Sequence, residues 1–138
     1  MPYRKIAALL LACLLAGCDD ATAPHPAAVD LAFDIERAQT EPAFLVSEGD
    51  REVTVRGTLR TPCVGYDARA EANRSLRTLE VRIIGIDPGL CFHALGSYGY
   101  QATVRGLPAG EYRLRVVHTW PETGWGTDQV VDTQVHVR

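Results

Sequence analysis

Hydrophobic and polar residues alternate along most of the chain beyond residue 28. In the first such segment Val29, Leu31, Phe33 and Ile35 are separated by polar or small residues, and six later segments show the same period of two. Because successive side chains of a β-strand point to opposite faces of its sheet, this alternation predicts strands with one buried face. The predicted strands cover residues 29–35, 53–59, 66–72, 79–83, 98–104, 112–116 and 131–137.

Turn-forming residues separate the predicted strands. They occur at Glu48-Gly49-Asp50, Asn73-Arg74-Ser75, Asp87-Pro88-Gly89 and Leu107-Pro108-Ala109-Gly110. Residues 66–72 contain enough alanine to fit a helix, but no segment has a convincing amphipathic helical pattern. Seven short strands with such turns predict an all-β fold, a single antiparallel β-sandwich.

The two strands 66–72 and 79–84 are expected to form a hairpin around Asn73 to Leu76. Paired residues would then have numbers that sum to about 151, which places Cys63 opposite residue 88 or close to it. A bulge at Asp87-Pro88-Gly89 would bring Cys91 to the same level.

The segment Gly106-Leu107-Pro108-Ala109-Gly110-Glu111-Tyr112 leads into the strand that contains Leu114 and Val116. It resembles the turn into a strand of fibronectin type III and carboxypeptidase-regulatory-like sandwiches. The resemblance implies an immunoglobulin-like or fibronectin-III-like sandwich in which the Tyr112 ring is packed and its hydroxyl bonds to nearby backbone. It implies nothing about function, because such folds carry many activities.

The amino-terminal residues have the pattern of an export signal. Arg4 and Lys5 precede an apolar run from Ile6 to Leu15, which as a helix is too short to span a bilayer. The run ends in Leu15-Ala16-Gly17-Cys18, which resembles the bacterial lipobox. The resemblance implies cleavage before Cys18 and fatty acylation of Cys18, hence a lipid-anchored protein of the cell envelope. The alternative is an ordinary secretory signal with an incidental cysteine.

Three regions follow from these patterns. Residues 1–17 are the predicted lipoprotein signal peptide, residues 18–28 the lipidated cysteine and a flexible tether with Pro24 and Pro26, and residues 29–138 the β-sandwich. The chain after the signal also resembles small lipoproteins of GC-rich environmental bacteria, a resemblance that implies no activity.

Composition narrows the functional classes. The 138 residues are 46% hydrophobic and 22% charged, which is typical of a globular protein. The formal charge of -3 becomes more negative when Arg4 and Lys5 are removed, and no lysine remains. Lysine-dependent covalent catalysis is therefore excluded, and the acidic balance argues against binding of nucleic acid.

Cys63 and Cys91 are the two cysteines that remain after Cys13 leaves with the signal and Cys18 carries the lipid. In an exported protein such a pair predicts a disulfide bond. The alternative is half of a metal site, but no His or Cys pair at ligand spacing accompanies the two cysteines.

The segment from His118 to Asp128 joins the last two predicted strands and contains both tryptophans, Trp120 and Trp125. On a hairpin tip they could form an aromatic platform for a sugar ring or a protein partner. Alternatively one or both fold back onto the sandwich and stiffen the loop, which is the arrangement we favour. Pro121-Glu122-Thr123-Gly124 is also similar to a loop of the chagasin-like protease inhibitors.

The four histidines are expected at the surface or at strand edges. They are His25 in the tether, His93, His118, and His136 on the polar face of the last strand. The sequence contains none of the common nucleophile, zinc or phosphate-binding motifs, so we expect neither enzymatic activity nor a cofactor or metal.

Three functions remain open. The first is a non-catalytic binding module that uses the tryptophan loop to bind a polysaccharide or an envelope protein. The second is a structural or accessory subunit of an envelope assembly that offers a strand edge such as Leu31 to Ile35. The third is a protease inhibitor.

Overall fold

A computed structural model describes residues 27–37, 44–90 and 94–138 of the chain. The predicted signal peptide, Cys18, most of the predicted tether and Cys91 lie outside these ranges. Within them the chain forms β-strands and turns and no helix. No helix long and apolar enough to cross a membrane occurs in the part of the chain that the structure describes.

Nine strands follow one another in the described ranges, the first of only two residues. They are β1 (Ala27–Ala28), β2 (Asp30–Arg37), β3 (Leu45–Glu48), β4 (Glu52–Thr61), β5 (Asp67–Ser75), β6 (Thr78–Ile86), β7 (Gly96–Arg105), β8 (Gly110–Trp120) and β9 (Gly126–Val137). Residues 66–72, whose pattern also fitted a helix, are almost entirely strand.

The strands form two sheets, so the predicted β-sandwich is confirmed. One sheet has the order β1-β5-β6-β8-β9 and the other the order β2-β7-β4-β3. All neighbouring pairs are antiparallel except β6 and β8, which run parallel. The parallel pair arises because β7 lies in the other sheet, so the chain crosses the sandwich twice between β6 and β8.

The core lies between the sheets and follows the period of two. Alternate residues are buried over most of β4, β6, β7 and β8 and at the end of β9, and the polar residues between them are mostly more exposed. The fully buried members include Val53, Val55, Leu59, Leu79, Val81, Ile83, Val104, Leu114, Val116 and Val137. Burial of these apolar side chains is the main stabilising contribution to the fold.

Tyr112 occupies the corner predicted for it. Its ring is buried, and its hydroxyl donates a hydrogen bond of 2.8 Å to the carbonyl oxygen of Pro108. The bond fixes the turn that carries the chain from β7 in one sheet to β8 in the other.

The β5–β6 hairpin has a different register from the predicted one. Ser75 pairs with Thr78 and Asp67 with Ile86, so partner numbers sum to 153 rather than 151. The turn is therefore Leu76-Arg77, with Leu76 at a φ of 49°, and Asn73 is part of the strand. The predicted turn was wrong because Asn73, Arg74 and Ser75 continue the pairing of β5 with β6, and β1 pairs with Asn73 and Arg74 from the other side.

Two further features were missed by the strand prediction. β3 has only four residues and is mostly exposed, so it lacks the alternation that marks the other strands. β8 continues to Trp120, although the predicted strand ended at residue 116. A register shift opposite Val116 and Val117 leaves Val130 of β9 without a partner in β8, as in a β-bulge.

The sandwich has two distinct ends. The proximal end contains β1 and the Leu76-Arg77 turn, and the distal end contains the turn between β8 and β9. Because β6 and β8 run parallel, the beginning of β8 lies near the proximal end and Trp120 at the distal end. The eleven residues of β8 separate the two ends by about 35 Å.

Three of the outer strands are long enough to expose unpaired backbone groups. β2 and β3 form the edges of the four-stranded sheet, and β9 forms one edge of the other sheet. Near the end of β9, the carboxylate of Glu48 accepts a hydrogen bond of 2.8 Å from the backbone N–H of His136. One edge amide of β9 is therefore occupied by a side chain rather than by another strand.

Candidate functional site

The tip of the β8–β9 hairpin consists of residues 121–125, which confirms that the tryptophan segment joins the last two strands at a hairpin. The Thr123 hydroxyl donates to the Trp120 carbonyl oxygen at 2.9 Å and accepts from the backbone N–H of Trp125 at 3.1 Å. These local bonds hold the tip in one shape and fix the direction in which the chain leaves Trp120 and reaches Trp125.

Trp120 is packed into the sandwich. Only 6% of the residue is exposed, and its indole Nε1 donates a hydrogen bond of 2.8 Å to the carbonyl oxygen of Arg60 in the opposite sheet. Gly85 of β6 makes room for the ring, because a Cβ built there would lie 2.7 Å from Trp120 Cδ1. Trp120 thus joins the two sheets at the distal end.

Trp125 stands against Trp120 but remains accessible. The ring centroids are 5.4 Å apart with an interplanar angle of 67°, an edge-to-face arrangement that aromatic pairs favour. Trp125 is 42% exposed. Each of the two interpretations of the tryptophan segment therefore describes one residue: Trp120 folds back onto the sandwich, and Trp125 offers a supported aromatic face.

His118 is buried, so the expectation of a surface histidine was wrong. It is 3% exposed, and its Nε2 lies 2.9 Å from the hydroxyl of Tyr100 on β7. Burial lowers the pKa of His118 to about 4, against a smaller opposing effect of the Asp128 carboxylate. At neutral pH the imidazole is therefore uncharged.

The sequence contained a signal for this burial. His118 and Trp120 continue the series of even-numbered residues that begins with Tyr112, all of which face inward from β8. Because the strand was expected to end at residue 116, the alternation was not extended to them. Extending the period of two by four residues would have predicted both buried side chains.

An open cleft of about 590 Å³ lies between the sheets beside the hairpin tip. We call it the tryptophan cleft. Its aromatic walls are formed by Phe44, His118, Trp120 and Trp125. The ring of His118 lies 5.9 Å from that of Phe44 and 6.0 Å from that of Trp120, measured between centroids. The size lies within the range of small-molecule sites.

The rest of the tryptophan cleft is polar. Polar side chains come from β4 and β9, and the bulge residue Val130 completes the wall. The polar members are Thr58, Arg60, Thr127 and Asp128. Arg60 and Asp128 bring opposite charges to the same opening, so the cleft has no strong net preference for anions or cations.

This arrangement can bind a ligand. The accessible face of Trp125 and the buried rings of Trp120 and His118, which form the floor of the cleft, provide contact area for a ligand. The polar groups at its rim provide orientation. Among the described residues no group of three His, Cys, Asp or Glu side chains could hold a metal ion.

The remaining predicted site residues do not join this cleft within the described part of the chain. Cys63 is 1% exposed and lies just after β4 of the four-stranded sheet, whereas the predicted bridge was placed within the sheet that contains β5 and β6. Cys18 and Cys91 lie outside the described residues, as do His25 and His93. His136 is exposed, as predicted from its position on the polar face of β9.

A second cavity of about 630 Å³ lies at the distal end between β2 and β5. It is lined mainly by apolar and aromatic side chains, including Ile35, Val64, Leu95 and Tyr98. The hydroxyl of Tyr98 accepts a hydrogen bond from the backbone N–H of Gly65 at 3.0 Å. Tyr66, Asp67 and Ser97 add polar groups to this cavity, but neither tryptophan lines it. The tryptophan cleft is the stronger candidate because it combines polar groups with an accessible tryptophan that packs on a buried one.

Comparison of the chain with protein-family models, curated proteins and solved structures finds no match.

Proposed function

We propose that the chain is a lipid-anchored bacterial envelope protein whose β-sandwich is a non-catalytic binding module, with the tryptophan cleft as its site. Its ligand would be a saccharide of an envelope polysaccharide. The observation that carries the proposal is the pairing of a 42% exposed Trp125 with a buried, hydrogen-bonded Trp120. A ring held in place before binding loses little conformational entropy when a sugar stacks on it.

The polar rim supports the same ligand class. A sugar has an apolar ring face and many hydroxyl groups, so it needs an aromatic surface together with donors and acceptors beside it. Arg60, Thr127 and Asp128 provide such groups within the same cleft as Trp125.

The orientation of the site agrees with an anchor at Cys18. β1 begins at Ala27, inside the predicted tether, and pairs at the proximal end of the sandwich. The hairpin tip lies at the other end, about 35 Å away. A protein attached through Cys18 would therefore present the tryptophan cleft away from the membrane.

Binding can be tested with the full chain purified in detergent. Tryptophan emission is followed while peptidoglycan fragments and other envelope polysaccharides are added. We expect one saccharide class to shift the emission of the wild type, and Trp125→Ala to weaken that binding at least tenfold, the loss expected of a central aromatic contact. Glu122→Gln, a change at an exposed tip residue outside the cleft wall, is the matched control.

Two results would contradict the binding proposal. One is the absence of any saccharide-dependent change in emission. The other is equal binding by wild type and Trp125→Ala.

The proposed anchor is tested separately by Cys18→Ser. The wild type should incorporate radiolabelled fatty acid and sediment with membranes, whereas the variant should remain an uncleaved, unlabelled precursor. Fatty-acid labelling of the variant at the wild-type level would refute lipidation at Cys18.

A disulfide between Cys63 and Cys91 is part of the proposal. Thr61, at the end of β4, pairs with Gly96, the first residue of β7. Cys63 follows Thr61 by two residues and Cys91 precedes Gly96 by five, so only a short length of chain separates each cysteine from this pair. Mass analysis of a non-reduced digest should recover the two cysteine peptides linked, and recovery of both as free thiols would contradict the bridge.

A second candidate function is that of an accessory subunit in an envelope assembly. It is favoured by the position of β2, which includes Leu31 to Ile35, at the edge of its sheet. An extended segment of a partner could pair with this edge. Under this alternative Trp125→Ala would leave partner binding intact, whereas Ile35→Pro, which removes a β2 backbone N–H that bonds to the Asp34 side chain rather than to β7, would weaken it strongly.

Protease inhibition through the hairpin tip is the third proposal. It shares Trp125 with the first, so inhibition assays with purified proteases distinguish the two. Inhibition that is lost in Trp125→Ala, without saccharide binding by the wild type, would favour it.

A further inference from the structure

The floor of the tryptophan cleft holds a buried hydrogen-bonded pair. The hydroxyl of Tyr100, a residue that is 4% exposed, lies 2.9 Å from His118 Nε2. Gly57 of β4 permits this approach, because a Cβ built there would lie 2.6 Å from the Tyr100 hydroxyl oxygen and 2.6 Å from Phe44 Cε1. The pair is thus enclosed by the strands of both sheets.

The bond determines which nitrogen of His118 carries the proton. Burial lowers the pKa of His118 to about 4 and raises the pKa of Tyr100, so at neutral pH the imidazole is uncharged and the phenol keeps its proton. Nε2 is the only hydrogen-bond partner of the Tyr100 hydroxyl among the described residues. A buried hydroxyl needs an acceptor, so Tyr100 donates to Nε2 and the imidazole proton resides on Nδ1.

The Nδ1–H group is left as a free donor that can be reached from the cleft. Within the described ranges His118 has no hydrogen-bond partner other than Tyr100. Arg115 Nε is the only buried side-chain nitrogen or oxygen without a partner in the same ranges. Nδ1 of His118 thus has no partner among the described residues and is not one of their buried unpartnered atoms, which places it at the surface of the tryptophan cleft that His118 lines.

The surroundings of this donor specify the group that fits it. Phe44 and Trp120 flank His118, so an acceptor that reaches Nδ1 must enter between aromatic rings. A hydroxyl would bring a donor of its own into these apolar surroundings, and an unpaired donor is unfavourable there. An acetamido group instead places its carbonyl acceptor and its methyl group at its outer end, where the methyl group can pack on aromatic rings. Its N–H donor stays next to the sugar ring, where Thr127 and Asp128 of the same cleft offer acceptors.

We propose that the tryptophan cleft is selective for 2-acetamido sugars, with His118 Nδ1–H donating to the acetamido carbonyl, the methyl group on Phe44 and Trp120, and the sugar ring on Trp125. This inference rests on the proposed saccharide-binding function and names its ligand class. Tyr100 is a positioning residue, since it acts on the ligand only through the proton of His118.

Chitohexaose and cellohexaose form a matched pair of probes, because both are β-1,4-linked glucose-type hexamers and differ in the acetamido group at carbon 2. The affinity of the full chain in detergent for each is measured by isothermal titration calorimetry. One added hydrogen bond and one buried methyl group correspond to a preference of about tenfold or more for chitohexaose.

The possible outcomes separate the inference from the proposed function. Preference for chitohexaose supports both. Equal affinity, or preference for cellohexaose, leaves saccharide binding intact and overturns the acetamido inference. If neither hexamer binds, the acetamido inference is overturned. If no other envelope saccharide binds either, the proposed saccharide-binding function is overturned as well.

Tyr100→Phe tests the positioning role, and Tyr112→Phe makes the same chemical change at the proximal end as a control. In Tyr100→Phe the ratio of the two affinities should fall towards one while cellohexaose affinity changes little. In Tyr112→Phe the ratio should remain at the wild-type value. A wild-type ratio in Tyr100→Phe would contradict the role.

A second measurement does not depend on the folding of a variant. In the wild type, long-range ¹H–¹⁵N correlation spectra of the His118 ring distinguish the two neutral tautomers. We expect the proton on Nδ1. A proton on Nε2 would leave no donor facing the cleft and would overturn the inference.

Discussion

Acidification should destabilise the domain through His118. Its pKa is about 4 in the folded protein and 6.5 as the unperturbed value, since burial favours the neutral ring. Between these values the unfolded chain binds a proton that the folded chain does not, so the free energy of unfolding falls as the pH falls. The contribution of His118 to the free energy of unfolding is fully present above pH 6.5 and is lost as the pH falls to about 4.

The magnitude follows from the difference between the two pKa values. One pKa unit corresponds to about 1.36 kcal/mol, so a separation of about 2.5 units gives a loss of about 3 kcal/mol. This is smaller than the total stability of most domains, about 5–15 kcal/mol, so the protein should still be folded at the acid end of the range. Tyr100 and Phe44 are the rings that face His118 from the opposite sheet, and Asp128 is the nearby charge that opposes the shift.

The assay is urea unfolding followed by tryptophan fluorescence at several pH values from about 7.5 down to about 4, with ΔG obtained by linear extrapolation. His118→Gln is the matched variant, because its side-chain amide can still accept from Tyr100 but does not titrate. His136 is exposed and present in both proteins, so its contribution cancels in the comparison. The wild type should lose about 3 kcal/mol more than the variant across this window. Equal losses in the two proteins would refute the assignment of the acid sensitivity to His118.

Three further predictions concern stability and are measured by urea unfolding at neutral pH. Gly57→Ala should cost about 1–3 kcal/mol, because the new methyl group would lie 2.6 Å from Phe44 Cε1 in a buried site. Gly124→Ala, where nothing lies within 4 Å, should stay within about 0.5 kcal/mol of the wild type, and equal effects of the two changes would contradict the argument. Tyr112→Phe should cost about 1 kcal/mol through loss of the bond to the backbone, and no loss would mean that the corner bond does not stabilise the fold. Leu114→Ala, at a fully buried position, should cost about 2–5 kcal/mol, and a cost below 1 kcal/mol would show that the core collapses around the gap.

The extent to which the fold could be predicted from the sequence depended on the depth of each strand. β4, β6 and β8 bury alternate residues over most of their length, so all three strands were predicted, although β8 extends four residues beyond its predicted end. β3 buries little of its surface, so its hydrophobic and polar residues do not need to alternate, and the strand was missed. The parallel pairing of β6 and β8 depends on the position of β7 in the other sheet. The pattern of residues within a strand does not indicate to which sheet the strand belongs.

The candidate site was predictable only in part, for a related reason. The concentration of both tryptophans in one hairpin was visible in the sequence and led to Trp120 and Trp125. The partners of His118 come from distant parts of the chain, with Tyr100 on β7 and Phe44 beside β3. Such contacts follow from the packing of the two sheets, so the floor of the cleft appeared only in three dimensions.

The hydrogen bond between the Glu48 carboxylate and the backbone of β9 affects how readily copies of the protein aggregate. An exposed strand edge is a template on which a strand of another molecule can add, and repeated addition leads to fibrous aggregates. At His136 the edge donor is already occupied, and a negative charge stands where an incoming strand would lie. Glu48 therefore opposes the addition of a strand from another copy at this edge. Its replacement by alanine would leave the fold of one copy largely unchanged while making concentrated samples prone to aggregate.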